Sequence, residues 1–497
     1  MNYKMVRYTL GIILFFEAFF FIFPAIAALC FSEWRALQAL IASIGACLLA
    51  AIPMSYKKPK NTRVYAKEGF VIVSLSWILL AIFGALPLAL SGAIPNYIDA
   101  FFETVSGLTT TGSSIIPAVE EIPKSMLLWR SFCNWVGGMG VLVFVMAILP
   151  LSGAQNMHIM RAESPGPQVS KLVPRVRRTA IILYLIYIAM TFILFVLMLF
   201  DPSTTIFEAI NTALATAGTG GFGFRNDSFF SLSSYAQWVV TIFMILFSIN
   251  FNSYYLILKK KIKEAFNTEV IVFLGIVVVA IAIITIDVMI NDSLVSPTGE
   301  AIPTTFFGAL THVAFTVSTI VSTCGFSTVD FQHWSALSYL LLIMLMFIGG
   351  CAGSTAGGFK VSRVIILFKT MIREFGNLIH PNRVKKVTMD DKPLDDEAVR
   401  SVTTYLTTYV FIFAASLLLI SIDQSIFNPA ENTFLTNFTA VTATFNNIGP
   451  GLDFVGPTQN FADFSYFSKI ILSFDMLAGR LELFPMLVLF NPSTWKK

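Results

Sequence analysis

Four times along this chain a long apolar segment is followed by a short apolar one, a glycine, and a second long apolar segment. The short segments cover about 97–111, 204–217, 305–324 and 432–447. The first ends in Thr109-Thr110-Thr111-Gly112-Ser113-Ser114, and the glycines that close the others fall at Gly218, Gly325 and Gly449. From Gly112 to Gly218, then to Gly325, then to Gly449, the intervals are 106, 107 and 124 residues, the mark of a weak internal repeat. A helix of about 20 residues crosses a hydrocarbon core of about 30 Å, whereas one of about 10–14 does not. Each short segment is therefore predicted to enter a membrane and turn back.

The composition requires such an environment. Of 497 residues, 56% are hydrophobic and 12% charged, whereas an ordinary soluble domain carries about 25% charged residues. Long apolar segments are read at 6–31, 36–54, 69–91, 125–150, 178–200, 236–258, 269–290, 335–372, 401–422 and 466–490. They are continuously apolar, which excludes a membrane β-barrel and predicts an all-α polytopic membrane protein. The first is too long for a secretory signal core and lacks a small-x-small cleavage site, so it reads as a retained helix. Cys30, Cys47, Cys133, Cys324 and Cys351 lie in or beside apolar segments without metal-ligand spacing, and read as small buried residues.

Loop charges give the orientation. If the short segments do not span, Lys4 and Arg7 share a side with Lys57, Lys58, Lys60, Arg63 and Lys67, with Arg161, Lys171 and Arg175, with Lys259, Lys260 and Lys261, and with Arg373, Arg383, Lys385 and Lys386. The other side carries Asp99, Glu103, Glu120, Glu121, Asp201, Glu208, Asp292, Glu300, Glu431 and Asp453. By the positive-inside rule both termini are expected in the cytoplasm, with every short segment dipping in from outside. Asp201-Pro202 and Asn428-Pro429 are expected to start the second and fourth short helices, and Thr205-x-x-Glu208 resembles a capping box. Helices so placed aim their negative C-terminal ends at the membrane centre, which favours a cation there.

Irregular backbone at that depth is tolerated only where it lines a polar cavity or is buried in protein. Glycine admits positive φ and close approach, so consecutive carbonyls can face one way. Four such turns around one axis would form rings of carbonyl dipoles able to replace the water of a monovalent cation. A single glycine after a short helix is an ordinary cap. Four in the same setting call for a joint explanation.

Three stretches sharpen this pattern: Trp135-Val136-Gly137-Gly138-Met139-Gly140, Thr216-Ala217-Gly218-Thr219-Gly220-Gly221-Phe222, and Phe445-Asn446-Asn447-Ile448-Gly449-Pro450-Gly451. With them, essentially the whole chain resembles the Trk/Ktr/HKT superfamily of potassium transporters, and within it the TrkH-type membrane subunit. The resemblance implies four tandem M1–pore helix–M2 repeats around one pore, plus two extra N-terminal transmembrane helices. The expected divisions are 1–60 for the extra helices, then 61–160, 161–265, 266–376 and 377–497 for the repeats. One filter glycine per repeat is implied, at Gly112, Gly218, Gly325 and Gly449, with Gly220 and Gly221 as alternatives in the second turn. Transported K+ would meet the carbonyls of Thr110, Thr111, Thr216, Ala217, Thr323, Cys324, Asn447 and Ile448. The resemblance also implies a homodimer in a bacterial inner membrane, controlled by a cytoplasmic ring of TrkA-type nucleotide-binding subunits. Neither a nucleic-acid partner nor a cofactor other than K+ itself is expected.

Segment 335–372 is interrupted by Gly349-Gly350-Cys351-Ala352-Gly353-Ser354-Thr355-Ala356-Gly357-Gly358. Each glycine costs a helix interior about 1 kcal/mol relative to alanine, so a broken helix with a mobile intramembrane loop is predicted. In the family resembled, the matching loop gates the pore. Lys360 and Arg363 just beyond it are read at the inner surface. Arg480 falls near the middle of 466–490, where an arginine costs about 2.5–3.5 kcal/mol unless it faces a cavity or partner. Asp475 and Glu482 are not at helical pairing distance from it, and the family carries an arginine below the filter, so Arg480 joins the gate. Glu17 is intramembrane without a readable partner. Gly218–Phe224 lacks the G-K-[ST] ending of a phosphate loop, the four histidines form no cluster, and no nucleophile–base set is visible, so an enzyme is not expected. The reading is channel-like K+ uptake; the alternative is a Na+- or H+-coupled symporter, whose signature would be inverted repeats and carboxylates near a midplane site.

Overall fold

The computed structural model describes residues 1–61, 64–140, 176–380, 386–429 and 433–496. Among the described residues the only paired strands are Thr388–Met389 and Lys392–Pro393, and the rest of the regular structure is helical. Six helices are long and apolar enough to cross a membrane, or seven if the bent pair Ser234–Phe247 and Phe251–Leu258 is one span. The chain is an all-α, multi-pass membrane protein.

The four short segments form helices at Tyr97–Leu108, Ile206–Gly218, Phe306–Val321 and Phe434–Phe445. Asn96, Thr205, Thr305 and Thr433 cap them, each side chain accepting from a first-turn N–H. The Thr205–Glu208 capping box is formed. The two Pro-linked starts are displaced: Asp201 accepts from the Ser203 and Thr204 hydroxyls ahead of the helix, and Asn428 closes the preceding helix Asp396–Phe427. A cap acts only on N–H groups two or three residues ahead, and those residues lie after Thr205 and Thr433.

The helix after each turn packs on the next short helix. Lys124–Gly138 lies on Ile206–Gly218, Ser234–Phe247 on Phe306–Val321, Ala336–Ile348 on Phe434–Phe445, and Tyr466–Arg480 returns to Tyr97–Leu108. The order is cyclic. Closure is reinforced at the termini, where the Tyr3 hydroxyl donates to Trp495 O at 2.6 Å and Lys67 Nζ to Ser493 O at 3.0 Å. The N-terminal helices Tyr3–Phe20 and Trp34–Ser55 pack on each other, and Ile22–Cys30 leans on Lys124–Gly138.

Segment 335–372 is broken as predicted, into Ala336–Ile348 and Val361–Ile379. Two segments read as continuous are broken as well. Segment 236–258 turns by 90° between Phe247 and Phe251, where Asn250 caps the second piece by accepting from Asn252 N–H. Segment 466–490 stops at Arg480 and resumes at Phe484, with Glu482 and Leu483 at φ of 59° and 60°. Hydropathy does not register either break, because Ser248-Ile249-Asn250 and Leu481-Glu482-Leu483 are short and flanked on both sides by apolar runs. The helix read at 125–150 is described as Lys124–Gly138, and 141–150, Arg63, Arg161, Lys171, Arg175, Arg383, Lys385 and Glu431 lie outside the described residues.

Candidate functional site

All four short helices end alike. Thr110, Thr219, Thr323 and Asn447 adopt φ of 56°, 53°, 56° and 55°. Their N–H groups bond back to Gly107, Thr216, Ile320 and Thr444 at 3.1, 3.0, 3.0 and 3.2 Å. The next N–H groups, of Thr111, Gly220, Cys324 and Ile448, reach Ser106, Ala215, Thr319 and Ala443 at 2.8, 2.9, 2.8 and 2.8 Å. This double closure is a Schellman cap, a motif that usually places glycine at the left-handed position. Three β-branched threonines there hold about 1–3 kcal/mol of strain each, which persists only when the surroundings enforce it.

One residue beyond each cap stands a glycine, Gly112, Gly221, Gly325 and Gly449, at φ of 81°, 66°, 97° and 106°. A Cβ on Gly112 would lie 2.5 Å from Gly220 O, on Gly221 1.8 Å from Cys324 O, on Gly325 2.5 Å from Ile448 O, and on Gly449 2.9 Å from Thr111 O. The turns thus meet first to second to third to fourth to first. Thr111, Gly220, Cys324 and Ile448 each present a carbonyl to the preceding turn's glycine. Asn447 adds a side-chain tie, donating to Thr111 Oγ1 at 3.0 Å and to Met476 O at 2.9 Å.

Of the glycines singled out in the sequence, Gly112, Gly325 and Gly449 lie in this ring, with Thr110, Thr111, Thr323, Cys324, Asn447 and Ile448 in the same turns. The second turn is shifted. Gly218 is the last residue of its helix, so close to Asn134 that a Cβ would lie 2.1 Å from that carbonyl oxygen. Thr216 and Ala217 remain helical, and Thr216 O accepts from Thr219 N–H. Gly221, one of the two alternatives, takes the equivalent place, preceded by Thr219 and Gly220. Two signals point there. The glycine follows its N-cap by 16 residues in three repeats (96 to 112, 205 to 221, 433 to 449) and by 20 in the third (305 to 325), whose helix is about one turn longer. In addition, Thr219-Gly220-Gly221-Phe222 matches Thr323-Cys324-Gly325-Phe326.

Loop 349–360 packs against the third and fourth turns. Gly357 N–H donates to Thr323 Oγ1 at 2.6 Å and Gly358 N–H to Asn446 O at 3.0 Å. On the second repeat, Cys351 N–H reaches Ser248 O at 3.0 Å, and Gly353 O accepts from Phe251 N–H at 3.0 Å. From the fourth, Arg480 donates to Thr355 O at 2.9 Å, and its other arm bonds Gly137 O and Gly138 O of the first, both at 2.6 Å. The loop therefore touches the second, third and fourth repeats, and Arg480 bridges it to the first. Gly349, Gly353 and Gly358 have positive φ, whereas Gly350 and Gly357 are there for space: a Cβ on Gly357 would lie 2.3 Å from Asn446 O.

Lys360 and Arg363 are not at the inner surface. They are 3% and 5% exposed; Lys360 Nζ donates to Ala356 O, and Arg363 pairs with Glu482 while its guanidinium sits 3.9 Å from the Tyr405 ring centre. The loop folds back on its own start, with Phe359 N–H bonded to Phe347 O and Lys360 N–H to Ile348 O, and buries these residues with it. Asp475 accepts from Ser416 at 2.7 Å. Glu269, which drew no notice in the sequence, accepts from Ala352 N–H at 2.7 Å and Ser362 N–H at 3.1 Å, clasping both ends of the loop. Glu103, read as an outer-loop acid, is fully buried and paired with Arg130 at 2.7 Å. Glu17 is buried, and its Oε2 has no hydrogen-bond partner among the described residues. No cluster of His, Cys, Asp or Glu able to hold a metal occurs among the described residues; the oxygens that abut the four glycines are backbone ones.

Comparison with known proteins agrees with this architecture. The family model of TrkH, described as a cation transport protein, matches residues 36–497. The Trk system potassium uptake protein TrkH of Salmonella typhimurium is 32% identical over 507 residues, covering all of both chains. That of Escherichia coli K12 is 32% identical over 503 residues, again over the full length of both. Among solved structures, the crystal structure of the potassium transporter TrkH from Vibrio parahaemolyticus superimposes with a TM-score of 0.86 at 28% identity, covering 100% of each chain.

Proposed function

Because this chain belongs to the TrkH family of cation transport proteins, we propose that it takes potassium into the cell through a pore whose selectivity filter is the ring of four glycine turns. The observation that carries this reading is the cyclic contact of Gly112, Gly221, Gly325 and Gly449 with the carbonyls of Gly220, Cys324, Ile448 and Thr111. Convergent carbonyls replace an ion's hydration shell without a fixed charge that would hold it too tightly to leave. The filter residues on this reading are Thr110–Gly112, Thr219–Gly221, Thr323–Gly325 and Asn447–Gly449. The four short helices add their C-terminal dipoles, which favour a cation at the ring.

Loop 349–360 is the gate on this reading, since it spans the space below the filter and bonds to two of the filter turns. Arg480 is its latch and an electrostatic barrier, a fixed positive charge beneath a cation filter. The repeats divide near 61–160, 161–265, 266–376 and 377–497, after two additional helices in 1–60. The protein works as a homodimer in a bacterial inner membrane with both termini cytoplasmic, and a TrkA-type nucleotide-binding ring acts on the gate. The driving force is the membrane potential, about 2.3 kcal/mol per charge per 100 mV. The deciding experiment is Rb+ and Na+ flux in proteoliposomes before and after Gly112→Ser. Loss of discrimination is expected; an unchanged ratio would reject the filter assignment.

A further inference from the structure

Buried ion pairs contribute little net stability, because desolvation offsets their attraction, so a wholly buried one beside a filter asks for a positional explanation. Glu103 and Arg130 form such a pair, with side chains 0% and 2% exposed. Glu103 lies on the first short helix, and both its oxygens bond the segment leaving the first turn. Oε1 accepts from the Ser114 hydroxyl at 3.0 Å and from Arg130 Nε at 2.8 Å, while Oε2 accepts from Ile115 N–H at 2.9 Å. Arg130 Nη2 also donates to Ser114 Oγ at 3.2 Å. Ser114 and Ile115 are the second and third residues after Gly112.

Arg130 then crosses to the second turn. Its guanidinium lies 4.1 Å from the ring centre of Phe222, the residue after Gly221, and Nη1 makes a long 3.5 Å contact with Gly223 O. Phe222 is wedged against the first short helix so closely that a Cβ on Gly107 would lie 3.1 Å from its ring. The other short helices brace the segments leaving their own turns with neutral or more exposed groups. Thr439 Oγ1 accepts from Leu452 N–H at 2.9 Å, His312 Nδ1 lies 3.1 Å from Thr328 Oγ1, and the Glu208–Arg225 pair is 14% and 23% exposed. Among these described braces, Glu103–Arg130 is the buried charged one, and it reaches a neighbouring turn.

We propose that Arg130, held by Glu103, is a positioning residue for ion selectivity: the pair sets the separation of the first and second filter turns, Glu103 holding Ser114 and Ile115 while Arg130 bonds Ser114 on one side and stacks on Phe222 on the other. The inference rests on the four-turn filter. Carbonyl spacing decides whether the ring matches a dehydrated K+ or a smaller ion. Arginine suits the task because its planar fork can bond a carboxylate and stack on an aromatic face at once, which lysine cannot do.

The test is the Rb+/Na+ flux ratio in proteoliposomes for the unmodified chain, Gly112→Ser, Arg130→Gln, Arg130→Lys, Glu103→Gln and Phe222→Leu. Arg130→Gln and Phe222→Leu are expected to lower the ratio about tenfold, or about 1.4 kcal/mol of differential ion stabilisation. Arg130→Lys should recover part of it by restoring the pair without the stack. A structural role alone would lower the amount of folded protein and leave the ratio untouched. If Gly112→Ser shifts the ratio while Arg130→Gln and Phe222→Leu keep the original one, the positioning role is overturned and the filter stands. If Gly112→Ser does not shift it either, the filter reading falls and this inference with it. Should Arg130→Gln not fold, Phe222→Leu and Glu103→Gln decide by the same criterion.

Discussion

At the residue scale, glycine is needed twice over at each of the four turns, for positive φ and because a neighbouring carbonyl fills the place of a Cβ. Gly221 is the tightest, with 1.8 Å between a Cβ and Cys324 O. Gly221→Ala is therefore expected to push the second and third turns apart and, on the proposed filter, to abolish Rb+/Na+ discrimination. Gly218→Ala meets a helix carbonyl instead, and overpacking of that kind costs about 1–3 kcal/mol. It should lower thermal stability with discrimination kept in the protein that folds. Parallel melting and flux measurements separate the two, and a loss of discrimination in Gly218→Ala with Gly221→Ala unaffected would restore Gly218 to the filter. Thr216-Ala217-Gly218 and Thr219-Gly220-Gly221 share one T-x-G pattern, so local reading leaves both open. The helix length from Thr205 and the phenylalanine after Gly221 were legible, but their meaning depends on comparison with the other three repeats.

At the scale of elements, the short helices were readable to within a few residues, because length and apolarity alone excluded spanning. Their caps contribute in the ordinary way: Thr205→Ala, which removes the hydroxyl acceptor of the Glu208 N–H, should cost about 1 kcal/mol by thermal or denaturant unfolding. The glycine run predicted the loop at 349–358, but not what holds it. Glu269 binds the loop at both ends, and removing that carboxylate leaves the Ala352 and Ser362 N–H groups without it. On the proposed gating role, Glu269→Ala should raise basal Rb+ flux several-fold with selectivity unchanged. Arg480→Gln should do the same by removing both the bond to Thr355 O and a positive charge, by about tenfold if the barrier falls by about 1.4 kcal/mol. Basal flux at or below that of the unmodified chain in both variants would argue against a latch.

At the scale of the whole molecule, the cyclic packing makes one site from residues more than three hundred positions apart in sequence, as in the Asn447–Thr111 bond. No single repeat holds a complete ring, so the site is a property of the closed assembly. On the uptake reading, a K+ diffusion potential alone should drive Rb+ into proteoliposomes with no Na+ or pH gradient. Uptake that appears only when one of those gradients is imposed would favour the coupled alternative.

The sequence by itself determined the membrane class, the four short apolar helices, three of the four glycines that meet at the ring and the interruption of segment 335–372. Each of these follows from segment length, apolarity or a glycine run, and such signals are local. Tertiary structure decided the register of the second turn, the breaks at 248–250 and 481–483, and the partners of Glu103, Glu269, Arg363 and Arg480. The reason is physical: whether a glycine is required, or a buried charge tolerated, depends on the atom lying opposite it. For the four glycines, Arg363 and Arg480 that atom belongs to another repeat and only closure of the ring brings it into place, whereas for Glu103 and Glu269 it lies in the same repeat, beyond the reach of a local pattern.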